Sequence, residues 1–587
     1  MEHGLRGWRR AGAPWRAIAL SVALATAAQL APIVWRLQGH RGGYYAHGDE
    51  EFYASLVHRS ATTPLTTTNP FDVQWRSASS PYGWILPRLA ALPLRLGAPP
   101  GLWTDASRWL ASGASAWLII EIGAAVAAPA VGAAAATLVL LDPGTYFGKP
   151  VLLLLEGKWR LGTETLQLLM SRLFTPGYLM PFYLAALLVL VRAVGAKRRR
   201  PGRAMAVVAF AGLGVAGNFF FWTAGAAAAV GIAAAHHRRR QLWRWIVPGV
   251  AVLLLLVAVN GAGVRDDMVE HALRLGFRRT RWPVFLTHAG FWAGALVALW
   301  LAFGRHRAGG AGRALGLAVA GIWALVLLHT PVTGWDVQSQ HYSLALYPPV
   351  TLAYCAAAWY GWRRLRWLAA ARLSATAASA AVSFVAFVGP VLALGGLGAV
   401  PTLLPPDWAG AQRLAAAGGV PADAQIAVPR PARFALTLTL PNTPYWYPYD
   451  EAWGVSDTAL FTRTVCAALL TGEDSAETLR RATPRDRFAT VWPDGRPADV
   501  SLAGVRSYFA LMPVLAGREA GAVARLAHEA PALRGSCAVL PDFALALGHS
   551  HVRRAGAVAA ALDGRTAWVA RDSSAAWFRF LRGTPGP

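Results

Sequence analysis

Apolar stretches of 14 to 26 residues recur along the first 400 positions, and every second segment between them holds basic residues almost without acids. The stretches lie near 14–37, 108–126, 128–143, 176–192, 204–222, 223–236, 245–262, 284–303, 314–331, 343–362 and 374–399. About 20 apolar residues carry a helix across the hydrocarbon of a bilayer, so eleven such runs describe a polytopic α-helical membrane protein. The first run follows Arg6, Arg9, Arg10 and Arg16 and is longer than the core of a typical secretory signal, so an uncleaved anchor is expected.

Charge sets the expected orientation. With the N-terminus inside, the inside segments hold Arg6, Arg9, Arg10 and Arg16, then a block from Arg192 to Arg203, then Arg238 to Arg244. Arg305, Arg307 and Arg313 follow, then Arg363, Arg364, Arg366 and Arg372. These are twenty-one basic residues against one acid, Glu2, and the opposite parity gives no comparable bias. The expected topology is N-in, C-out, with a membrane domain over 1–399 whose first external loop runs from about 38 to 107. Residues 400–587 change character, with Pro401, Pro405, Pro406 and short strand-like runs such as "AQIAVP" and "RTAWVAR". They are expected to form an extracytoplasmic α/β domain. Cys466 and Cys537 both fall in it and are a candidate disulfide, while Cys355 lies within a span as a small apolar filler.

Composition closes off other classes. The chain is 55% hydrophobic and 15% charged with mean hydropathy +0.37, well short of the roughly 25% charged residues of soluble domains. The net charge of +26 comes in short blocks between apolar runs, a topological footprint, so no nucleic-acid partner is expected. No Walker-type loop, Gly-rich dinucleotide fingerprint or HExxH occurs, and no nucleotide cofactor is expected.

Within the first external loop, "YYAHGDEEFY" (44–53) sets Asp49, Glu50 and Glu51 among Tyr44, Tyr45, Phe52 and Tyr53. Aromatic residues of this kind settle at the membrane–water boundary and would hold the carboxylates at headgroup depth. A carboxylate there can take a proton from a hydroxyl, hold a divalent cation, or simply be solvated. Partial desolvation would raise its pKa and suit it to general-base work near neutrality.

The acidic motif "GDEEFY" early in a long first external loop, followed by many spans and a terminal external domain, resembles the GT-C superfamily of integral-membrane glycosyltransferases. Protein mannosyltransferases, the lipid A aminoarabinose transferase and the oligosaccharyltransferases share that plan. The resemblance implies a sugar donor on a polyprenyl phosphate or diphosphate and an inverting transfer on the outer face of a bacterial inner membrane. It makes Asp49 the expected catalytic carboxylate and Glu50 its partner, as second carboxylate or as ligand of a Mg or Mn ion. Glu51 is able to exchange roles with Glu50. The acceptor is a glycan, a lipid or a protein.

Other external segments carry groups suited to the same chemistry. Asp142 in "DPGTYFGKP" is a candidate second acid or a turn residue; Lys149, Lys158, Arg160 and Arg172 are candidates to grip a lipid-linked phosphate or are solvated. Arg274, Arg278, Arg279 and Arg281 in "RLGFRRTRWP" lie outside against the topological trend, where arginine suits phosphate better than lysine does. Asp336 and His341 share the next external turn, and His341 is able to bond a phosphate or sugar hydroxyl. Glu121, placed in the middle of the second span, is costly there unless it faces the bundle interior or a wet cavity. The aromatics of "TPYWYPYDE" (443–451) suit sugar stacking or a domain core equally.

Two other functions share these features. A flippase of lipid-linked saccharides predicts ionisable residues within several spans and broken helices at the midplane. A non-catalytic envelope-assembly protein would keep the fold and dispense with the acids.

Overall fold

The computed structural model describes residues 13–37, 48–63, 84–141, 177–195, 203–235, 239–260, 278–281, 289–304, 309–336 and 341–365, with seven strand segments between 425 and 580. Two compact units are distinct. One comprises Met1–Glu50, Leu96–Asn260 and Arg279–Leu403; the other comprises Glu51–Arg95, Gly261–Arg278 and Leu404–Pro587.

The first unit is helical. Helix α1 (Ala13–Ala28) and helix α2 (Leu30–Leu37) divide the first apolar run. Pro32 has no N–H to give the carbonyl four residues back, so the helix is interrupted near Gln29. Helix α3 (Gly48–Thr62) begins in this unit and continues into the second, where α4 (Ile85–Ala90) and α5 (Leu92–Arg95) follow. The bundle resumes with α6 (Pro100–Val126) and α7 (Pro129–Leu140), each opened by a proline whose missing N–H costs nothing at a first helical position. Then come α8 (Met180–Gly195), α9 (Arg203–Ala216), α10 (Phe219–Ala235) and α11 (Arg239–Asn260). The last are α12 (Ala289–Phe303), α13 (Gly310–Thr333) and α14 (Tyr342–Leu365).

Ten of the eleven expected spans fall on these helices, and the eleventh, 374–399, lies outside the described residues. Among the described residues, α6 and α13 are long and apolar enough to cross a membrane, and seven shorter apolar helices accompany them. Large apolar side chains such as Val208, Leu255, Leu296 and Phe303 stand exposed on α9, α11 and α12. Apolar helices with apolar outer faces make a wall suited to hydrocarbon. Some boundaries differ from the sequence reading: α6 begins at Pro100 rather than 108, and the break between the fifth and sixth spans falls at Gly217–Asn218 rather than at 222–223. Gly217 takes φ +67°, and Asn218 Oδ1 accepts the Phe220 N–H, starting a new helix.

Contacts at both ends of helix pairs fix their directions. Ser107 hydrogen-bonds Tyr178 just before α8, and Glu121 pairs with Arg192 near the other end of the two helices, so α6 and α8 run parallel. Tyr347 donates to Leu138 O and Tyr360 to Val126 O, which runs α14 parallel to α6 and opposite to α7. The Thr223–Tyr342 hydroxyl pair sets the start of α10 beside the start of α14. The starts of α6, α8, α10 and α14 therefore share one end of the bundle. Backbones approach closely where glycines meet: a Cβ on Gly132 would lie 2.3 Å from Ile120 O, and one on Gly321 would lie 2.3 Å from Ala227 O. Small residues allow such contact between apolar helices, where no hydrophobic effect drives association.

In the second unit, strands β3 (Gln425–Ala427), β4 (Tyr445–Trp446), β7 (Phe543–Leu547), β8 (Thr566–Arg571) and β9 (Ala576–Phe580) form a sheet in the order β4-β3-β7-β9-β8. β3 is parallel to both neighbours, and β9 is antiparallel to both of its own. β5 (Ala489–Val491) and β6 (Pro497–Asp499) make a separate antiparallel pair. The two runs singled out in the tail, at 425–427 and 566–571, are strands. Parallel neighbours need crossover connections, as an α/β plan requires. The connections themselves, with Cys466 and Cys537, lie outside the described residues.

Candidate functional site

Asp49, Glu50 and Glu51 lie on the first turn of α3, which begins at Gly48; their side chains are outside the described residues. The middle of α3 is enclosed. Ala54, Ser55, Leu56, Val57, His58, Arg59 and Ser60 are all buried, although this helix is among the least apolar in the chain. Enclosing so polar a helix demands partners for its end groups. Thr63 Oγ1 donates to Arg59 O at 2.8 Å. Arg88 Nη1 donates to Ser60 O at 3.0 Å and Thr63 O at 2.8 Å, and Arg95 Nη2 donates to the same two carbonyls, each at 2.8 Å. Burial lowers the His58 pKa to about 4, leaving the ring neutral over the ordinary range.

A second group surrounds a short strand pair. Strand β1 (Arg278–Arg279) pairs with β2 (Trp335–Asp336), and the Thr280 N–H donates to Gly334 O at 3.0 Å. Gly334 ends α13 at φ +74°, with its N–H on Thr330 O. This pairing sets Arg279 beside Trp335–Asp336. The His341 ring meets Phe220 edge-on at 5.0 Å, and Phe220 meets Tyr342 at 5.2 Å. Thr223 Oγ1 gives its proton to the carbonyls of Phe219 and Phe220, so Tyr342 donates to Thr223 at 2.9 Å. His329 Nδ1 faces Val326 O at 3.0 Å and must donate, which leaves Nε2 to accept from Thr330 Oγ1 at 2.9 Å. His341 is thus held at the end of the bundle where α10 and α14 start. Arg281 is exposed, and the side chains of Arg278 and Arg279 lie outside the described residues.

The other candidates, Asp142, Lys149, Lys158, Arg160 and Arg172, lie outside the described residues. Glu121 is five residues from the end of α6 rather than in the middle of a span, and it pairs with Arg192. That ion pair between neighbouring helices accounts for its charge. Among the described residues no group of three His, Cys, Asp or Glu is placed to hold a metal ion.

A polar group at the start of α6 escaped the sequence reading. Arg36 Nη2 meets Asp105 Oδ2 at 2.6 Å, with Nε at 3.2 Å; Gln29 Nε2 donates to Ser112 Oγ at 2.8 Å; and the Arg108 side chain is fully buried. Its signal was available: Thr104, Arg108, Ser112 and Ser115 recur at four, four and three residues, one polar face of a helix.

No protein-family profile matches the chain, and no curated protein matches it in sequence. Among solved structures, the chain is similar to the crystal structure of ArnT from Cupriavidus metallidurans bound to undecaprenyl phosphate. Identity is 18% over 98% of this chain and 100% of that one, with a TM-score of 0.38.

Proposed function

We propose that the chain is a membrane glycosyltransferase of the GT-C kind that moves a sugar from a polyprenyl-phosphate-linked donor to a hydroxyl acceptor, with inversion, on the extracytoplasmic face of a bacterial plasma membrane. The observation that carries this reading is the acidic first turn of α3, shortly beyond the first apolar helices in a loop that the charge bias assigns to the outer face. Asp49 takes the acceptor's proton as its oxygen attacks the anomeric carbon, and Glu50 assists as second carboxylate or as ligand of a divalent cation. The phosphate that leaves develops negative charge, which fixed cations stabilise best where water is excluded. Arg278, Arg279 and Arg281, with His341 just before α14, supply such groups. Asp142, Lys149, Lys158, Arg160 and Arg172 are assigned to the same donor site. Residues 400–587 form an external domain that meets the acceptor. The pairing of Glu121 with Arg192 weakens the flippase reading, since it removes the clearest intramembrane acid from any transport path.

The test is sugar transfer by the purified full chain from a panel of polyprenyl-linked donors, beside Asp49→Asn and Glu50→Gln of verified folding. Transfer that collapses in Asp49→Asn is expected. Transfer that survives both changes refutes the assigned base. No transfer with any donor, with labelled lipid crossing proteoliposomes, establishes the flippase instead.

A further inference from the structure

We infer that Arg88 and Arg95 are positioning residues: from two successive short helices they grip the far end of α3 and so fix where its acid-bearing first turn stands. This rests on the reading of Asp49 as the base. Ser60 O is among the last four carbonyls of α3, which have no partner within the helix, and Thr63 O lies just beyond. Both arginines donate to both oxygens, at 2.8 to 3.0 Å. One donor to each carbonyl would satisfy this buried helix end, whereas here two like charges converge on one pair of acceptors. Burial first, and the Arg95 cation second, depress the Arg88 pKa to about 10, so the arrangement carries an electrostatic cost. It gains a helix end tied from α4 and from α5 together, which resists both sliding and rotation.

The geometry amplifies any slack. At 1.5 Å per residue, Asp49 stands about 16 Å along the axis from Ser60, so a tilt of about 4° moves the acidic turn by about 1 Å. A misplacement of about 1 Å costs on the order of 10²-fold in rate when reacting groups must meet in near-attack geometry. Each arginine uses one terminal nitrogen for both carbonyls rather than a two-pronged fork. A lysine ammonium, with three donors on one nitrogen, is therefore able to make the same two bonds.

The experiment compares wild type, Arg88→Gln/Arg95→Gln and Arg88→Lys/Arg95→Lys as full chains in nanodiscs, reading transfer kinetics and amide hydrogen exchange over 51–62. The glutamine pair is expected to lower kcat by about 10- to 100-fold with the donor KM unchanged and to speed exchange in α3. The lysine pair is expected to recover most of the loss. A folded glutamine pair with unchanged kcat overturns the inference, and so does a raised KM at constant kcat, which would make the arginines substrate ligands. Where the pair does not fold, Arg95→Gln alone makes the same comparison, because Arg95 is exposed. Absence of transfer by the wild type refutes the glycosyltransferase reading itself. Exchange then decides the grip separately, and unaltered protection over 51–62 in the glutamine pair overturns it.

Discussion

Replacing Gly132 with alanine should loosen the α6–α7 hairpin, and the structure sets the scale. The new Cβ would lie 2.3 Å from Ile120 O, 2.6 Å from Ile120 Cα and 2.8 Å from Ile120 C, all backbone atoms that no rotamer change relieves. Reaching even 3.0 Å from the oxygen requires the helices to part by about 0.7 Å, and a gap of that order forfeits a quarter to a half of each dispersion contact it opens. Only Ala127 and Ala128 join the two helices, so α7 has little freedom to slide instead. The expected cost is about 2–3 kcal/mol, at the upper end of ordinary overpacking because the obstruction is backbone. The matched control is Gly361→Ala on α14, where nothing lies within 4 Å of the new Cβ. Removing a helical glycine there should be neutral or stabilise by up to about 1 kcal/mol. Thermal unfolding of both variants in one detergent, followed by tryptophan fluorescence, gives the comparison. Gly132→Ala melting with the wild type, or Gly361→Ala losing as much, would refute the close backbone crossing.

Two further perturbations test other parts of the chain. His58 titrates near 4 when folded and near 6.5 when unfolded, so the unfolded chain binds the extra proton between those values; its contribution is complete above pH 6.5 and is lost as pH falls toward 4. That loss amounts to up to about 3 kcal/mol, and His58→Gln should flatten the pH–stability curve between pH 4 and 6.5 in denaturation monitored by circular dichroism. Asp105→Asn removes the partner of Arg36 from a pair only partly open to solvent and should cost about 1–2 kcal/mol, less than a fully buried pair would lose. A double-mutant cycle with Arg36→Met should return a coupling of similar size, and additive single effects would deny the pair.

The helices were legible because apolar length is a one-dimensional signal that tertiary context seldom overrides. The breaks were less so, although their causes are local. Pro32 divides the first span, and the Gly217–Asn218 pair starts α10 four residues earlier than hydropathy placed it. Hydropathy averages over windows, whereas a cap is one residue with one hydrogen bond. The strands at 425–427 and 566–571 were readable from β-branched and aromatic runs, but the order β4-β3-β7-β9-β8 brings together segments more than a hundred residues apart. No local pattern encodes that.

The candidate site divides in the same way. The acids of "GDEEFY" were visible as a motif, yet the residues that hold their helix, Arg88 and Arg95, read in the sequence as two ordinary loop arginines. They act through backbone carbonyls, which have no identity in a sequence. The β1–β2 pairing is of the same kind: Arg279 and Asp336 were singled out for charge, and the contact that joins their segments is main chain to main chain. Charge and chemistry can thus be nominated from residue types, while the placement of those residues depends on groups that every residue shares. Loss of an arginine that touches only carbonyls should therefore appear as a fall in kcat, and loss of one that touches phosphate as a rise in donor KM. Arg95→Gln against Arg281→Gln is the pair of variants that separates the two roles.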